Sequence, residues 1–294
     1  MHLDYEVVDV FTSEAFLGNP LAVVLGGDDL STSQCQALAR EFNLSETAFP
    51  LAAVDGADYR LRIFTPAMEL PFAGHPSVGA AWVLARRGTL APGPVVQSCG
   101  AGLLALQVAP DGGPVVLSGG PPSVGEPLEA ASLLAALGLG AGDLAGKARD
   151  ASCGLGFTVL PMVGDALARI EVDLPALRGA TGRQGGFGGL SAVAWDGTAA
   201  RCRVFAVGAG VDEDPATGSA ALALGAWLVA EGRVPGEGTT SYDVVQGVEM
   251  GRASLLSCTV TADAGRAVRA TVGGQVVAVA AGRILVPGRV IAVA

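Results

Sequence analysis

The sequence contains almost no lysine or histidine. Lys147 is the single lysine among the 18 basic residues of the 294-residue chain, and the only histidines are His2 and His75. A Gly-Lys-Ser/Thr phosphate-binding loop is therefore absent, and a Schiff-base lysine would have to be Lys147, which lies in a polar stretch. The five cysteines are dispersed without C-x-x-C spacing, which is typical of reduced thiols rather than of zinc ligands. We therefore expect no metal site.

Positive charge and long hydrophobic runs are also scarce. The net charge of −10 disfavours nucleic acid as a partner, because phosphate binding requires clustered Lys and Arg. The longest apolar stretch, at 220–230, is shorter than the ~20 residues that cross a membrane. The first six residues carry two acids and no basic region, unlike a signal peptide. We expect a cytoplasmic protein that binds neither membranes nor nucleic acid.

The chain contains an internal repeat. Three segments recur in the same order about half a chain apart, which predicts a duplicated fold. In this alignment Glu46 of the first half corresponds to Ala192 of the second. The pairs are 44–49 with 190–195, 60–64 with 201–205, and 81–85 with 226–230.

Each half of the repeat has the same coarse pattern of predicted elements. Short apolar strands come first, followed by a turn rich in Gly and Pro and then by a helix that is apolar on every face. The two helices are predicted at 77–87 and 219–231, and such a helix is buried. The predicted fold is α+β, with two pseudo-symmetric domains at 1–117 and 118–294, each a barrel-like sheet around one central helix. The prediction leaves open whether the last strand belongs to the first domain.

Three polar segments interrupt the apolar sequence and are candidates for chemistry. Glu46 enters a strand among apolar neighbours, an environment that raises the pKa of a carboxyl group towards that of a useful general base. His75 directly precedes the first apolar helix, and Asp214 precedes the second in the segment Asp214-Pro-Ala-Thr-Gly-Ser219. A structural role as a surface carboxylate, a buried histidine or a helix cap is the alternative for each. Helix N-termini bind anions, so a ligand with at least one carboxylate is expected here.

These segments resemble the phenazine-biosynthesis PhzF-like family of the diaminopimelate-epimerase-like superfamily. The matching pieces run in family order along most of the chain. The resemblance implies two similar domains with the active site in the cleft between them, a homodimer, and no cofactor. The pieces are Asp9-Val-Phe-Thr, Gly18-Asn-Pro-Leu-Ala-Val23, Leu44-Ser-Glu-Thr, Pro71-Phe-Ala-Gly-His-Pro, Asp214-Pro-Ala-Thr-Gly-Ser-Ala and Gly247-Val-Glu-Met-Gly-Arg252.

The same resemblance implies roles for individual residues. The catalytic residues are Glu46, His75 and Asp214, with Glu46 as the general acid/base. Residues expected to bind the substrate are Asn19, Gly74, Ser77, Thr217, Gly218 and Ser219. The superfamily's amino-acid epimerases use two facing cysteines, whose positions here are Ala73 and Ala216.

This departure from the epimerases favours one reaction over two others. The leading expectation is a one-base isomerase that moves a proton within a small carboxylated metabolite. A two-base epimerase or racemase of a small amino or hydroxy acid, with Glu46 and Asp214 as opposed bases, is the first alternative. A metabolite-binding protein without catalytic activity is the second.

Overall fold

The computed structural model describes residues 1–54, 56–181 and 189–288. The chain divides into two compact units, which we call the first unit (residues 1–117 and the stretch from Gly273 onward) and the second unit (Ser118–Val272). The sequence-based division placed everything after residue 117 in the second domain and left the position of the last strand open.

The first unit contains nine strands and two helices among the described residues. The strands are β1 (His2–Val10), β2 (Asn19–Val24), β3 (Glu46–Leu51), β4 (Tyr59–Phe64), β5 (Glu69–Leu70), β6 (Gly93–Cys99), β7 (Gly102–Val108), β8 (Val115–Ser118) and β18 (Val276–Leu285). The helices are α1 (Thr32–Phe42) and α2 (Gly74–Arg86).

The second unit contains the remaining strands and helices of the described chain. The strands are β9 (Ser123–Leu128), β10 (Ala148–Ser152), β11 (Gly156–Pro161), β12 (Gly189–Trp195), β13 (Ala199–Ala206), β14 (Val211–Asp214), β15 (Gly238–Gln246), β16 (Ser254–Asp263) and β17 (Arg266–Gly274). The α-helices are α3 (Ala131–Ala136), α4 (Leu174–Thr181) and α5 (Gly218–Ala230), and 3-10 turns occupy Ala141–Asp143, Ala166–Arg169 and Val207–Ala209.

Strand pairing follows the same order in both units. In the first unit β1 pairs antiparallel with β2, β2 parallel with β3, β3 antiparallel with β4, β4 parallel with β6, and β6 antiparallel with β7. In the second unit β10, β11, β12, β13, β15 and β16 repeat this sequence of antiparallel and parallel pairs. Each parallel pair requires a crossover connection, and the crossovers contain α1 and α2 in the first unit and α4 and α5 in the second. The predicted α+β fold with two pseudo-symmetric parts is confirmed.

The helices α2 and α5 are the buried helices of their units. Nearly all of their residues are inaccessible to solvent, which agrees with their apolar sequences. Both begin earlier than predicted, at Gly74 rather than 77 and at Gly218 rather than 219. Pro76 suggests a loop in the sequence. A proline is nevertheless tolerated in the first turn of a helix, because an N–H at that position would have no partner within the helix.

The helix α1 packs on the outer side of the first unit's sheet. Ser31 caps its N-terminus in a reciprocal capping box with Gln34. Its buried residues Cys35, Leu38 and Ala39 contact a cluster that includes Phe49 and Phe64. Throughout the described ranges, we find no helix that combines the length and apolarity needed to cross a bilayer.

Candidate active site

Three polar side chains meet in the first unit at the start of three elements. Asn19 is the first residue of β2, Glu46 the first residue of β3, and His75 the second residue of α2. The parallel pairing of β2 with β3 places the starts of the two strands side by side. Asn43 ends α1 in the left-handed conformation, with φ of 50°, and this sharp stop directs the chain into β3 at Glu46. We call Asn19, Glu46 and His75 the first-unit cluster.

The imidazole of His75 is the centre of this cluster. Its Nε2 lies 3.4 Å from Oε2 of Glu46, and its Nδ1 lies 3.2 Å from Nδ2 of Asn19. All three residues are buried, with exposed fractions of 9% for Glu46, 3% for His75 and 0% for Asn19. Burial lowers the pKa of His75 from 6.5 to about 3, because desolvation disfavours the imidazolium. His75 is therefore neutral at physiological pH and does not form a full ion pair with Glu46.

A chain of hydrogen bonds supports the first turn of α2. Ser77 is fully buried, and its hydroxyl donates to the carbonyl of Ala73 at 3.0 Å and accepts from the amide of Gln97 at 3.0 Å. The hydroxyl of Tyr59 donates to Gln97 at 2.7 Å. The single proton of the Ser77 hydroxyl is used within the protein, so the geometry supports a structural role more strongly than substrate binding. Gly74 opens the helix, and Ala73 provides no side-chain cap.

The second unit has its own polar cluster at the start of α5. Asp214 ends β14, Thr217 is the residue before α5, and Gly218 and Ser219 are its first two residues. The hydroxyl of Thr217 donates to Oδ2 of Asp214 at 2.5 Å. Asp214, Thr217 and Ser219 are buried, and the N-terminus of α5 has no side-chain cap. We call these four residues together with Gln246 the second-unit cluster.

Gln246 is the member of this cluster that sequence reasoning missed. Its amide nitrogen donates to the carbonyl of Asp214 at 2.7 Å and to the Thr217 hydroxyl at 3.0 Å, and its amide oxygen accepts from the Thr217 N–H at 3.2 Å. The next residue, Gly247, has φ of +76°, and a Cβ there would lie 2.6 Å from the carbonyl oxygen of Pro215. The available signal was the position of Gln246 directly before Gly247, the first residue of a segment that matches the family. Gln246 thus clamps the turn that carries Asp214.

Strand register aligns the two repeats and corrects one prediction. Thr47 pairs with Phe64 in the first unit, and Leu190 pairs with the repeated Phe205 in the second. The counterpart of Glu46 is therefore Gly189, and the predicted match with Ala192 is wrong by three residues. A Cβ at Gly189 would lie 2.6 Å from the Phe205 carbonyl oxygen, so the second unit has no room for a carboxylate at this position.

A repeated ion pair supports this alignment, because it joins β4 to β5 in the first unit and β13 to β14 in the second. Arg62 binds both carboxylate oxygens of Glu69, and Arg203 binds both oxygens of Glu213. Each glutamate lies five positions before the first residue of α2 or α5. By this spacing the counterpart of Asp214 is Leu70, and the counterpart of His75 is Ser219. The two units thus share a backbone but carry different polar groups.

The cysteines do not belong to either polar cluster, although Cys202 is the strand partner of Gln246. None of the five is in either turn before α2 and α5, and burial raises the pKa of Cys35 to about 11 and of Cys153 and Cys202 to about 12. Thiols with such pKa values are poor proton acceptors near pH 7. No group of three His, Cys, Asp or Glu side chains in the described ranges is close enough to bind a metal ion.

Two surface cavities lie elsewhere. One of about 460 Å³ is lined in the second unit by residues that include Ser123, Ala226 and Arg266. Another of about 340 Å³ is lined in the first unit by residues that include Tyr59 and Arg87. Neither cavity is lined by a residue of the two polar clusters.

Comparison with known proteins gives matches along nearly the whole chain. The family model for phenazine biosynthesis-like proteins matches residues 8–282. The chain is 34% identical to the trans-2,3-dihydro-3-hydroxyanthranilate isomerase of Pseudomonas fluorescens, over 97% of this chain and 100% of that protein. It is 35% identical to an uncharacterised isomerase of Mesorhizobium japonicum, over 96% and 99% of the two chains. A PhzF-family structure from Bacillus anthracis shares the fold, with a TM-score of 0.87, 24% identity and coverage of 97% and 99%. The chain therefore belongs to the phenazine biosynthesis-like (PhzF) family and is an isomerase.

Proposed function

We propose that the protein is a cofactor-independent isomerase that moves a proton between two carbons of a small carboxylated metabolite, with Glu46 as the general acid/base. The observation that carries the proposal is the buried Glu46 carboxylate 3.4 Å from a neutral His75. Nothing at the matching position of the second unit can take the same role, because that residue is Gly189. A single base of this kind suits a reaction in which one group removes a proton and returns it.

The proposed step keeps the proton on one residue. Glu46 removes a proton from one substrate carbon and becomes a carboxylic acid, and the electron pair moves into the substrate's double-bond system. The same acid then delivers the proton to another carbon, which regenerates the carboxylate. No oxidant, reductant or external acid is consumed. The neutral imidazole of His75 lies 3.4 Å from the carboxyl group of Glu46.

The substrate class follows from the helix N-termini and from one relative. The first N–H groups of α2 and α5, at Gly74, Gly218 and Ser219, lack side-chain caps, and such groups bind carboxylates. The relative from Pseudomonas fluorescens is named for a cyclic, carboxylated amino compound. We propose a substrate of this chemical class, with Asp214 contacting its amino or hydroxyl group.

A two-base epimerase is the second candidate, because Asp214 is another buried carboxylate. Its Oδ2 already accepts the Thr217 hydroxyl proton at 2.5 Å. A carboxylate oxygen that already accepts a hydroxyl proton within the protein is less available to a substrate carbon. This favours a substrate-binding role for Asp214 over a role as the second base.

The test is the exchange Glu46→Gln, with Glu41→Gln on the exposed surface of α1 as the matched control. With trans-2,3-dihydro-3-hydroxyanthranilate and related cyclic carboxylates as substrates, we expect kcat to fall by about 100- to 10,000-fold in Glu46→Gln and to stay unchanged in Glu41→Gln. Unchanged turnover of Glu46→Gln would rule out its role as the base. Binding of these compounds without turnover by the unmodified protein would favour a non-catalytic metabolite-binding protein.

Isotope labelling separates one base from two. A substrate deuterated at the reacting carbon and converted in light water should retain part of its deuterium in the product if Glu46 carries the proton across. Complete exchange with solvent together with inversion at one carbon would favour the epimerase.

A further inference from the structure

The imidazole of His75 has a polar neighbour at each of its two nitrogens. The amide nitrogen of Asn19 lies 3.2 Å from Nδ1, and a carboxylate oxygen of Glu46 lies 3.4 Å from Nε2. A neutral imidazole has one N–H and one lone pair, so the two neighbours together select which nitrogen carries the proton.

The donors and acceptors of the cluster allow only one position for the proton of the neutral His75 ring. An amide nitrogen can donate a hydrogen bond but cannot accept one, so Nδ1 of His75 must be the acceptor. The proton of the neutral ring then lies on Nε2, which is 3.4 Å from Oε2 of Glu46. We propose that Asn19 is a positioning residue that holds the proton of His75 on Nε2, so that His75 presents an N–H rather than a lone pair to Glu46.

The surroundings of Asn19 fit a positioning role better than contact with a ligand. Its exposed fraction is 0%, so its amide has no accessible surface to offer a substrate. Gly18 places it at the start of β2: Gly18 has φ of +69°, and a Cβ there would lie 2.4 Å from the carbonyl oxygen of Val10. A side chain would therefore displace the backbone that carries Asn19. The predicted role of Asn19 in substrate binding is replaced here by a role that acts through His75.

This position of the His75 proton has a direct consequence for the proposed reaction. The inference rests on that proposed function. With Nδ1 occupied by the Asn19 amide and Nε2 protonated, His75 has no lone pair that could take a proton from Glu46. The proton that Glu46 removes from a substrate carbon then stays on Glu46 until it returns to the substrate. Low proton affinity caused by burial acts in the same direction. A His75 with its lone pair at Nε2 would instead offer that proton a path away from the substrate.

The experiment reads the tautomer directly and needs no substrate. Because His2 is the only other histidine, the exchange His2→Gln leaves one imidazole in the chain. In long-range proton–nitrogen spectra of the ¹⁵N-histidine-labelled protein at pH 7, we expect a protonated Nε2 and an unprotonated Nδ1. A proton on Nδ1, or a fully protonated ring, would overturn the proposal without any exchange at Asn19.

Variants at Asn19 test what holds the tautomer. Asn19→Asp replaces the donor by an acceptor of the same shape and should move the proton to Nδ1 or protonate both nitrogens. Asn19→Leu removes the donor and should give a mixture of tautomers. Thr47→Val, a fully buried exchange on neighbouring β3, is the control and should leave Nε2 protonated. Backbone spectra show which variants are folded, and folded Asn19 variants with an unchanged tautomer would contradict the proposal.

This result and the test of the proposed function are separable. Loss of the predicted tautomer together with an inactive Glu46→Gln protein would refute the role of Asn19 and leave the base in place. The predicted tautomer together with a fully active Glu46→Gln protein would do the opposite.

Discussion

At the scale of single residues, the candidate site consists of a few buried polar groups in unequal environments. His75 is neutral because it is buried, and its Nε2 lies 3.4 Å from Oε2 of Glu46. Asp214 accepts a short hydrogen bond from Thr217. A neutral imidazole and a carboxyl group that lie side by side can take different roles in a reaction.

The lowered pKa of His75 predicts a pH dependence of folding stability. In the unfolded chain this imidazole binds a proton below about pH 6.5, whereas in the folded protein it does so only below about 3. The unfolded state therefore binds more protons between these values, so the His75 contribution to stability falls as the pH falls. Between pH 7 and pH 5 we expect the free energy of unfolding to fall by about 2 kcal/mol more in the unmodified protein than in His75→Gln.

Urea unfolding at several pH values checks this prediction. The other titrating groups, including His2, are present in both proteins and cancel in the difference. Parallel pH profiles for the two proteins would show that His75 titrates normally in the folded state.

At the scale of elements, each buried helix is fastened at its first turn by a glutamine from a strand. Gln97 on β6 holds Ser77 of α2, and Gln246 on β15 holds the turn before α5. The two glutamines are not at matching positions of the repeat, because Tyr59 pairs with Gln97 whereas its counterpart Ala200 pairs with Val244. The helix starts are thus fixed by different hydrogen bonds on a shared backbone.

Removal of the Gln246 amide should destabilise the protein strongly. Gln246→Met leaves the Asp214 carbonyl and the Thr217 N–H without this partner in the interior, at a cost of roughly 3 kcal/mol. Gln107→Met, the same exchange at an exposed position of β7, should change stability by less than about 0.5 kcal/mol. Chemical unfolding of both variants measures the contrast, and equal effects would show that the clamp contributes little.

Two helical glycines should respond to alanine with opposite signs. A Cβ at Gly225 of α5 would lie 2.4 Å from the hydroxyl of Tyr242, which donates to the Ala221 carbonyl at 2.8 Å. We therefore expect Gly225→Ala to destabilise by about 1–3 kcal/mol, despite the higher helix propensity of alanine. A Cβ added at Gly179 of α4 would meet no heavy atom of the described chain within 4 Å outside the adjoining helix backbone, so Gly179→Ala should stabilise by up to about 1 kcal/mol. Thermal and urea unfolding of the pair provide the measurement.

At the scale of the whole molecule, net charge and local donors act on a ligand in opposite directions. The net charge of −10 repels anions at long range, but this repulsion is screened beyond about 8 Å at physiological salt. Uncapped helix N-termini act within a few ångströms. The family resemblance also predicts a homodimer, and sedimentation of the purified protein tests this prediction.

A carboxylate should therefore contribute to ligand binding despite the acidic protein. We expect the methyl ester of a bound cyclic carboxylate to bind about tenfold or more weakly than the free acid, since hydrogen bonds to a charged group contribute about 1.5–3 kcal/mol. Calorimetric titration at 0.15 M salt measures both ligands. Equal affinity would mean that the ligand is recognised by shape rather than by its charge.

Sequence patterns alone established the features that depend on neighbouring residues or on composition. The repeat, the apolar helices, the α+β fold and the family follow from patterns within short segments, and Glu46, His75 and Asp214 stand out as polar residues in apolar surroundings. Local patterns carry this information because hydrophobic periodicity and turn residues act over a few positions.

The meeting of distant side chains was settled by the folded backbone. Asn19 and His75 are 56 residues apart in the sequence, and Thr217 and Gln246 are 29 apart. In each pair, a helix that connects two parallel strands lies between the two residues. The counterpart of Glu46 is Gly189 and not Ala192, because strand register is set by pairing across the sheet and not by similarity along the chain. A shift of one residue in register turns a side chain to the other face of the sheet. The partner of a buried polar group is therefore a property of the tertiary structure.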